Sequence, residues 1–238
     1  MDLSIISGDL TAEQAEKFEK YYNLLVEWNE VMNLTAITEP DEVALRHFAD
    51  SLTILPYIDR ICERIANEGK KDGAVTLVDV GTGAGFPGIP IKIMRPEINI
   101  TLLDSLKKRL GFLDNVIGQL GLGGVTTVHA RAEDAGKNGK YREKYDIAVA
   151  RAVAPMNILS EYCLPLVRKS GCFIAMKGPA EEEFSRAVKV LGGETEADDV
   201  FEIGKTQKLV RRIICVNKIA ETPPRYPRKA GVPSRQPL

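Results

Sequence analysis

The apolar positions of this chain change their spacing once, and the change divides it. Over residues 1–70 they recur at helical intervals. Phe18, Tyr21, Tyr22, Leu25, Trp28 and Met32 fall at three- and four-residue steps, one stripe on one helix. Thr11-Ala12-Glu13-Gln14 has the spacing of a capping box, with Thr11 as cap and Gln14 reaching back, so the helix is predicted to begin there. Asn33-Leu34-Thr35 ends it. A second helical stretch is predicted after Pro40, with Asp41 and Glu42 in its first turn and Leu45, Phe48 and Leu52 along it.

A polar, glycine-bearing loop at 67–73 leads into a different pattern. Short apolar runs at 75–80, 98–103, 125–130, 146–150 and 171–176 read as strands. Helical patterns at 87–94, 106–120 and 157–167 separate them. Continuous apolar strands alternating with helices predict a parallel sheet covered on both faces. A helix is expected around 180–191. Two last runs, near Val200 and at 210–216, are close enough to pair antiparallel. The expected architecture is therefore α/β: an open, mostly parallel sheet with an antiparallel last strand, under an N-terminal helical cap. The segments are a cap at 1–70, a core at 71–219 and a tail at 220–238. That tail holds five prolines and the cations Arg225, Arg228, Lys229 and Arg235 against the one acid Glu221. It is expected to lack regular structure.

Composition narrows the functions open to such a chain. Its 238 residues suit one enlarged domain, and 44% apolar with 27% charged types supports a packed core. The 32 Lys and Arg against 33 Asp and Glu leave a net charge of −1, which excludes binding to a polyanion by bulk charge. The first residues carry acids where a secretory signal needs cations, and no stretch approaches the roughly 18 apolar residues of a membrane span. Cys62, Cys163, Cys172 and Cys215 form no CxxC pair, and His47 and His129 are the only histidines. Neither a metal site nor a disulfide framework is expected. The expected setting is cytoplasmic, and the expected state monomeric.

The sharpest chemical signal is Val78-Asp79-Val80-Gly81-Thr82-Gly83-Ala84-Gly85-Phe86-Pro87-Gly88. It follows a predicted strand and opens a helix. A dinucleotide fingerprint would place a third glycine where Phe86 stands. Asp79 would repel a pyrophosphate and suits a ligand with an ammonium group. S-adenosylmethionine is such a ligand. Asp104, at the end of the second strand, is placed to grip a ribose diol. The end of the third strand, at Ala130-Arg131-Ala132-Glu133, is the place for adenine contacts. On this reading Asp79, Gly81, Gly83, Gly85 and Asp104 form the cofactor site.

These segments, with others, resemble one family. They are Trp28-Asn29 with Asn33-Leu34-Thr35; Arg46-His47 with Asp50-Ser51; the run from Asp79 through Gly88; Asp104-Ser105-Leu106 with Lys108-Arg109 and Phe112-Leu113; Ala150-Arg151-Ala152-Val153-Ala154; and Tyr226-Pro227-Arg228-Lys229 with Gly231 and Pro233. The set resembles the bacterial 16S rRNA (guanine-N7)-methyltransferase G family, also called glucose-inhibited division protein B. The resemblance implies a Rossmann-like S-adenosylmethionine-dependent methyltransferase fold. It implies methyl transfer to N7 of one guanine of 16S rRNA, nucleotide 527 in the usual rRNA numbering, within the small ribosomal subunit. It further implies that Gly81, Phe86, Ala132, Glu133 and Arg151 contact the cofactor. A methyltransferase acting on a small molecule is the alternative reading, and a non-catalytic binding module a more distant one.

The fourth strand fits an N7 acceptor. It is followed by Ala150-Arg151-Ala152-Val153-Ala154-Pro155, without the Pro-Pro-aromatic motif common where exocyclic amines are methylated and without a cysteine for a covalent pyrimidine adduct. N7 carries a free lone pair and no proton, so placement matters and a general base does not. Arg151 is the candidate positioning group, against an alternative of a structural ion pair with an acid such as Asp146. His47, three residues before Asp50 on a helix face, is placed where the two can touch, against an alternative of a satisfied structural histidine. For RNA the candidates are Lys107, Lys108 and Arg109, which open a helix against its macrodipole, Lys177 after the fifth strand, and Arg225, Arg228 and Lys229 of the tail. The tail is expected to contact RNA and to leave cofactor binding alone.

Overall fold

In the computed structural model, residues 1–6, 10–67, 74–204 and 208–238 are described. The first long helix, α1 (Ala12–Met32), begins at the expected capping box: the Gln14 amide donates to Thr11 Oγ1 at 3.2 Å, and the Thr11 amide to Gln14 Oε1 at 3.0 Å. Its stripe buries Phe18, Tyr21 and Leu25. The second stretch is one continuous run of helix with a widened middle. It comprises α2 (Pro40–Val43), a π-type segment at Ala44–Ala49 and α3 (Asp50–Leu52), followed by α4 (Leu55–Asn67). Beyond Asn67 the expected loop lies outside the described residues.

The sheet strands are β1 (Thr76–Val80), β2 (Asn99–Asp104), β3 (Val125–His129), β4 (Tyr145–Arg151), β5 (Val167–Lys177), β6 (Gly193–Ile203) and β7 (Leu209–Lys218). Their spatial order is β3-β2-β1-β4-β5-β7-β6. The first five pair in parallel, and β7 is antiparallel to both β5 and β6. The order reverses beside β1, and such switch points leave a crevice at the strands' carboxyl ends.

The connecting helices are α5 (Gly88–Met94), α6 (Lys107–Leu120), α7 (Ala132–Lys137), α8 (Met156–Cys163) and α9 (Ser185–Val190). The helix expected over 157–167 stops at Cys163. A 3₁₀ turn at Leu164–Leu166 replaces its end, because Pro165 has no amide to continue the ladder. β5 therefore starts earlier than its apolar run. The α7 helix is too short to show a period, and sequence reading passed over it.

Two apolar cores flank the sheet. On one face Phe18, Tyr21 and Phe48 from the N-terminal helices pack with Phe86, Ile89 and Phe112. On the other, Met156, Leu159 and Val188 pack with Val80, Phe173 and Tyr226. The tail corrects one expectation. It carries a short helix, α10 (Val232–Arg235), and is laid along the second face with Tyr226 and Pro233 buried.

Candidate functional site

A cavity of about 400 Å³ opens at the carboxyl ends of the first four strands. Gly81 lines it from the loop after β1, Asp104 from the end of β2, Ala132 and Glu133 from the start of α7, Arg151 from the end of β4 and Val153 from the loop that follows. Gly81 sits at φ +72°, and a Cβ there would come 2.9 Å from Val153 Cγ2. Only glycine meets both conditions without strain.

The other loop residues do not stand on that wall. Asp79 is fully buried beneath the loop. Its Oδ2 accepts hydrogen bonds from Thr82 Oγ1 at 2.7 Å and from the Gly88 amide at 2.9 Å, so it ties the loop to the head of α5. Its Oδ1 has no partner. Asp79 therefore stands behind the loop and off the cavity wall, with one oxygen tying the turn and the other unpaired. Burial raises its pKa to about 6, against the lowering effect of Thr82, Gly88 and the Arg151 charge. Gly85 is also structural, since a Cβ there would lie 2.7 Å from Ile89 and 2.8 Å from Leu113. Gly83 acts through its amide, which donates to Asp104 Oδ2 at 3.0 Å.

Asp104 is on the wall and already oriented. Its Oδ1 accepts from the Leu106 amide at 2.8 Å, and Arg109 Nη1 lies 3.5 Å from Oδ2. Glu133 is likewise fixed, accepting from the Gly231 amide at 2.9 Å. Both carboxylates are nearly buried, and charged oxygens in this state are held by charge-assisted bonds.

Arg151 stands between that cavity and a second one of about 360 Å³. The second is lined by Arg46, His47, Asp50, Lys177 and Arg211, and Arg151 and Ala152 belong to both. Ala152 sits at φ +54°, a left-handed position costing a non-glycine residue roughly 1–2 kcal/mol. The Arg151 guanidinium lies 5.0 Å over the Phe86 ring, so Phe86 backs the arginine instead of lining the first cavity. Nη1 donates to Asp50 Oδ2 and to the Arg46 carbonyl, each at 3.1 Å. Asp146, the acid named for an ion pair with it, pairs with Arg168 at 2.6 Å, and the ion pair Arg151 makes is with Asp50.

Asp50 is shared. Its Oδ1 accepts from Arg211 Nε at 2.7 Å, so one nearly buried carboxylate joins the N-terminal helices, β4 and β7. His47 does not take Asp50 as its partner. Its Nε2 lies 2.8 Å from Thr35 Oγ1 and its ring stacks on Phe86 at 4.6 Å. The π-type turn widens the helix here, which changes which side chains stack along it. Burial, and next the Arg151 charge, lower the His47 pKa to about 4, so the ring is neutral at pH 7.

The candidate RNA cations divide. Lys107, Lys108, Arg225 and Lys229 are exposed. Arg109 is half committed to Asp104. Lys177 is not a free cation: it donates to the Ala154 carbonyl at 2.7 Å and pairs with Glu182 at 2.8 Å. Arg228 is bound to the fully buried Glu161, Nη2 to Oε2 at 2.6 Å, and serves the tail's attachment. Sequence reading missed Gly231 and Ser234 of the cavity wall, and Tyr162 beside them. It also missed Arg211, whose only signal is a cation within an apolar strand.

The family model for rRNA small subunit methyltransferase G (GidB) matches residues 14–191. The chain belongs to that family. Ribosomal RNA small subunit methyltransferase G of Desulforamulus reducens is 49% identical across 97% of this chain and 92% of its own. That of Acetivibrio thermocellus is 50% identical across 97% and 91%. Among solved structures, a variant of the 16S rRNA (adenine(1408)-N(1))-methyltransferase from Catenulisporales acidiphilia superposes with a TM-score of 0.53 at 11% identity, covering 65% of this chain and 92% of that one. The antibiotic-resistance methyltransferase Kmr gives 0.51 at 15%, covering 66% and 92%. Those two likenesses speak for the fold: the GidB-family chain shares the Rossmann-like sheet of methyltransferases. Among the described residues no helix is long and apolar enough to cross a membrane.

Proposed function

We propose that this GidB-family chain transfers a methyl group from S-adenosylmethionine to N7 of a guanine of 16S rRNA, nucleotide 527 in the usual numbering, in the small ribosomal subunit. The observation that carries the reading is the placement of Arg151 between two cavities, one walled by oriented carboxylates and one rimmed by cations. The substrate would place the enzyme in the cytoplasm.

The first cavity suits the cofactor. Its wall holds Asp104 and Glu133, a loop glycine admits close approach at Gly81, and the unpartnered Asp79 Oδ1 lies buried behind the loop. These features favour a cationic nucleoside and disfavour a phosphate. S-adenosylmethionine supplies a methyl group on a sulfonium, already activated for transfer to a lone pair.

The second cavity is where the acceptor base would enter, with Arg46 and Arg211 on its wall, each already paired with a carboxylate, Glu42 and Asp50. Arg151, clamped by Asp50 and backed by Phe86, presents a fixed planar donor set at the junction. No residue must remove a proton from N7. Neutral His47, with its pKa near 4, does not titrate near neutrality, and it holds the wall beside Phe86. The exposed Lys107 and Lys108, next to Asp104, extend a cationic rim for phosphates.

The test is mass mapping of methylated guanine in 16S rRNA from cells with and without the protein, followed by single-turnover assays. The modification should vanish at one guanine without the protein. Arg151→Lys should lower the rate by roughly a hundredfold, because an ammonium cannot reproduce the guanidinium's fork. The wild-type rate should be flat between about pH 7 and 8.5. A steep rise with pH across that range would indicate a general base and remove the N7 reading.

A further inference from the structure

The tail that the sequence marks for RNA stands on the wall of the cofactor cavity. Gly231 and Ser234 line it together with Ala132, Glu133 and Tyr162. The Gly231 amide donates to Glu133 Oε1 at 2.9 Å, and the residue's φ of +80° turns the chain there. Several fastenings bring the segment to this point. The Arg228 side chain grips Glu161, and its backbone amide adds a bond to Oε1 at 2.6 Å. Arg142 Nη1 donates to the Tyr226 carbonyl at 2.7 Å, and its Nη2 to the Thr222 carbonyl at 2.6 Å. Pro227 lies against Gly136, where a Cβ would come 2.9 Å from its ring.

We infer that residues 228–234 form a closing wall of the cofactor site, and that Gly231 positions Glu133 for the ligand. The inference rests on the reading of this cavity as the S-adenosylmethionine site. Its physical content is linkage. A ligand that touches the docked tail binds only the form in which the tail is docked, so occupancy and tail order stabilise each other. The end of the chain is then part of the binding site, and the exposed Arg225 and Lys229 are carried by a segment whose order depends on the cofactor.

Hydrogen exchange of the full-length protein, with and without S-adenosylhomocysteine, tests this without any substitution. Exchange should slow at 81–83 and 104–109, and equally at 228–234, with the Gly231 amide slowed by tenfold or more. Gly231→Pro, which removes the donor and forbids the positive φ, should weaken S-adenosylhomocysteine about tenfold by calorimetry, the scale of one hydrogen bond to a charged acceptor. Its far-UV circular dichroism should remain that of the wild type. Protection at 81–83 and 104–109 with none at 228–234 would overturn the wall while leaving the cofactor reading intact. No protection anywhere, and no binding heat, would overturn the cofactor reading and the wall with it.

Discussion

The two ends of the chain cover opposite faces of the same sheet, and each delivers contacts to the candidate site. From the N-terminal side Asp50 clamps Arg151; from the C-terminal side Gly231 holds Glu133. They reach those places by different physics. The N-terminal helices bury a periodic stripe, with Phe18, Tyr21 and Phe48 fully inside one continuous core. The tail has no stripe. It is pegged by a buried ion pair, by carbonyls on Arg142 and by a few proline and tyrosine contacts. Burial of many apolar groups is non-directional and cooperative, whereas a peg fails when one partner is lost. A site built between the two should therefore fail in two distinguishable ways.

The largest effect is expected on the N-terminal side. Phe48→Ala removes a fully buried ring that meets Phe18, Tyr21 and Phe86, and should cost about 3–5 kcal/mol. Urea unfolding should remain a single transition, because cap and sheet share that core. Two separated transitions would show that the cap is its own unit.

Next comes the tail. Arg228→Ala leaves the Glu161 carboxylate buried without its cation, a loss of about 3 kcal/mol. It should fall locally: faster proteolysis within 225–238, with secondary structure unchanged by circular dichroism. Loss of the whole fold would place the tail in the same cooperative unit as the helices, and the contrast would disappear.

A pH-dependent effect of comparable size concerns the loop between the two ends. Burial raises Asp79 from 3.8 to about 6, so the folded state binds its proton more tightly than the unfolded state. The sign is opposite to that of a salt-bridged acid. This group's contribution to stability is greatest below about pH 3.8 and falls as pH rises through 6, then stays constant. The full difference is of order 3 kcal/mol. Asp79→Asn should remove that slope, so wild type should lose ground to the variant between pH 4 and 7 in paired denaturant titrations. An unchanged difference across that range would mean Asp79 titrates normally.

The smallest effect should be a gain. Gly111 lies within α6, and a Cβ there meets nothing within 4 Å. Gly111→Ala should stabilise by up to about 1 kcal/mol, read as a higher melting temperature. It would reinforce the pattern-held face alone and should leave tail proteolysis unchanged.

Much of the scaffold was legible before the structure. The capping box at Thr11, the β1 loop and the strand alternation are local signals whose geometry follows from backbone sterics and periodicity. Asp104 was legible because a carboxylate ending a parallel strand faces the crevice in most such folds. For Asp79 the residue type is legible, but whether its side chain turns outward or ties its own loop depends on Thr82 and Gly88 closing around it. That Lys177 and Arg228 are paired was not legible, because their partners, Glu182 and Glu161, come from other parts of the chain.

The sequence by itself determined most of the elements, the order of the strands along the chain, and the glycine loop after the first strand, since these depend on residues a few positions apart. Only the tertiary structure decided which charges remain exposed, that Asp50, itself held by Arg211, secures Arg151, and that Gly231 and Ser234 of the tail wall the first cavity. Asp50 and Arg211 stand 161 positions apart, and Glu133 and Gly231 stand 98 apart. Contacts across such separations leave no period in the chain, because what brings them together is the burial of other residues.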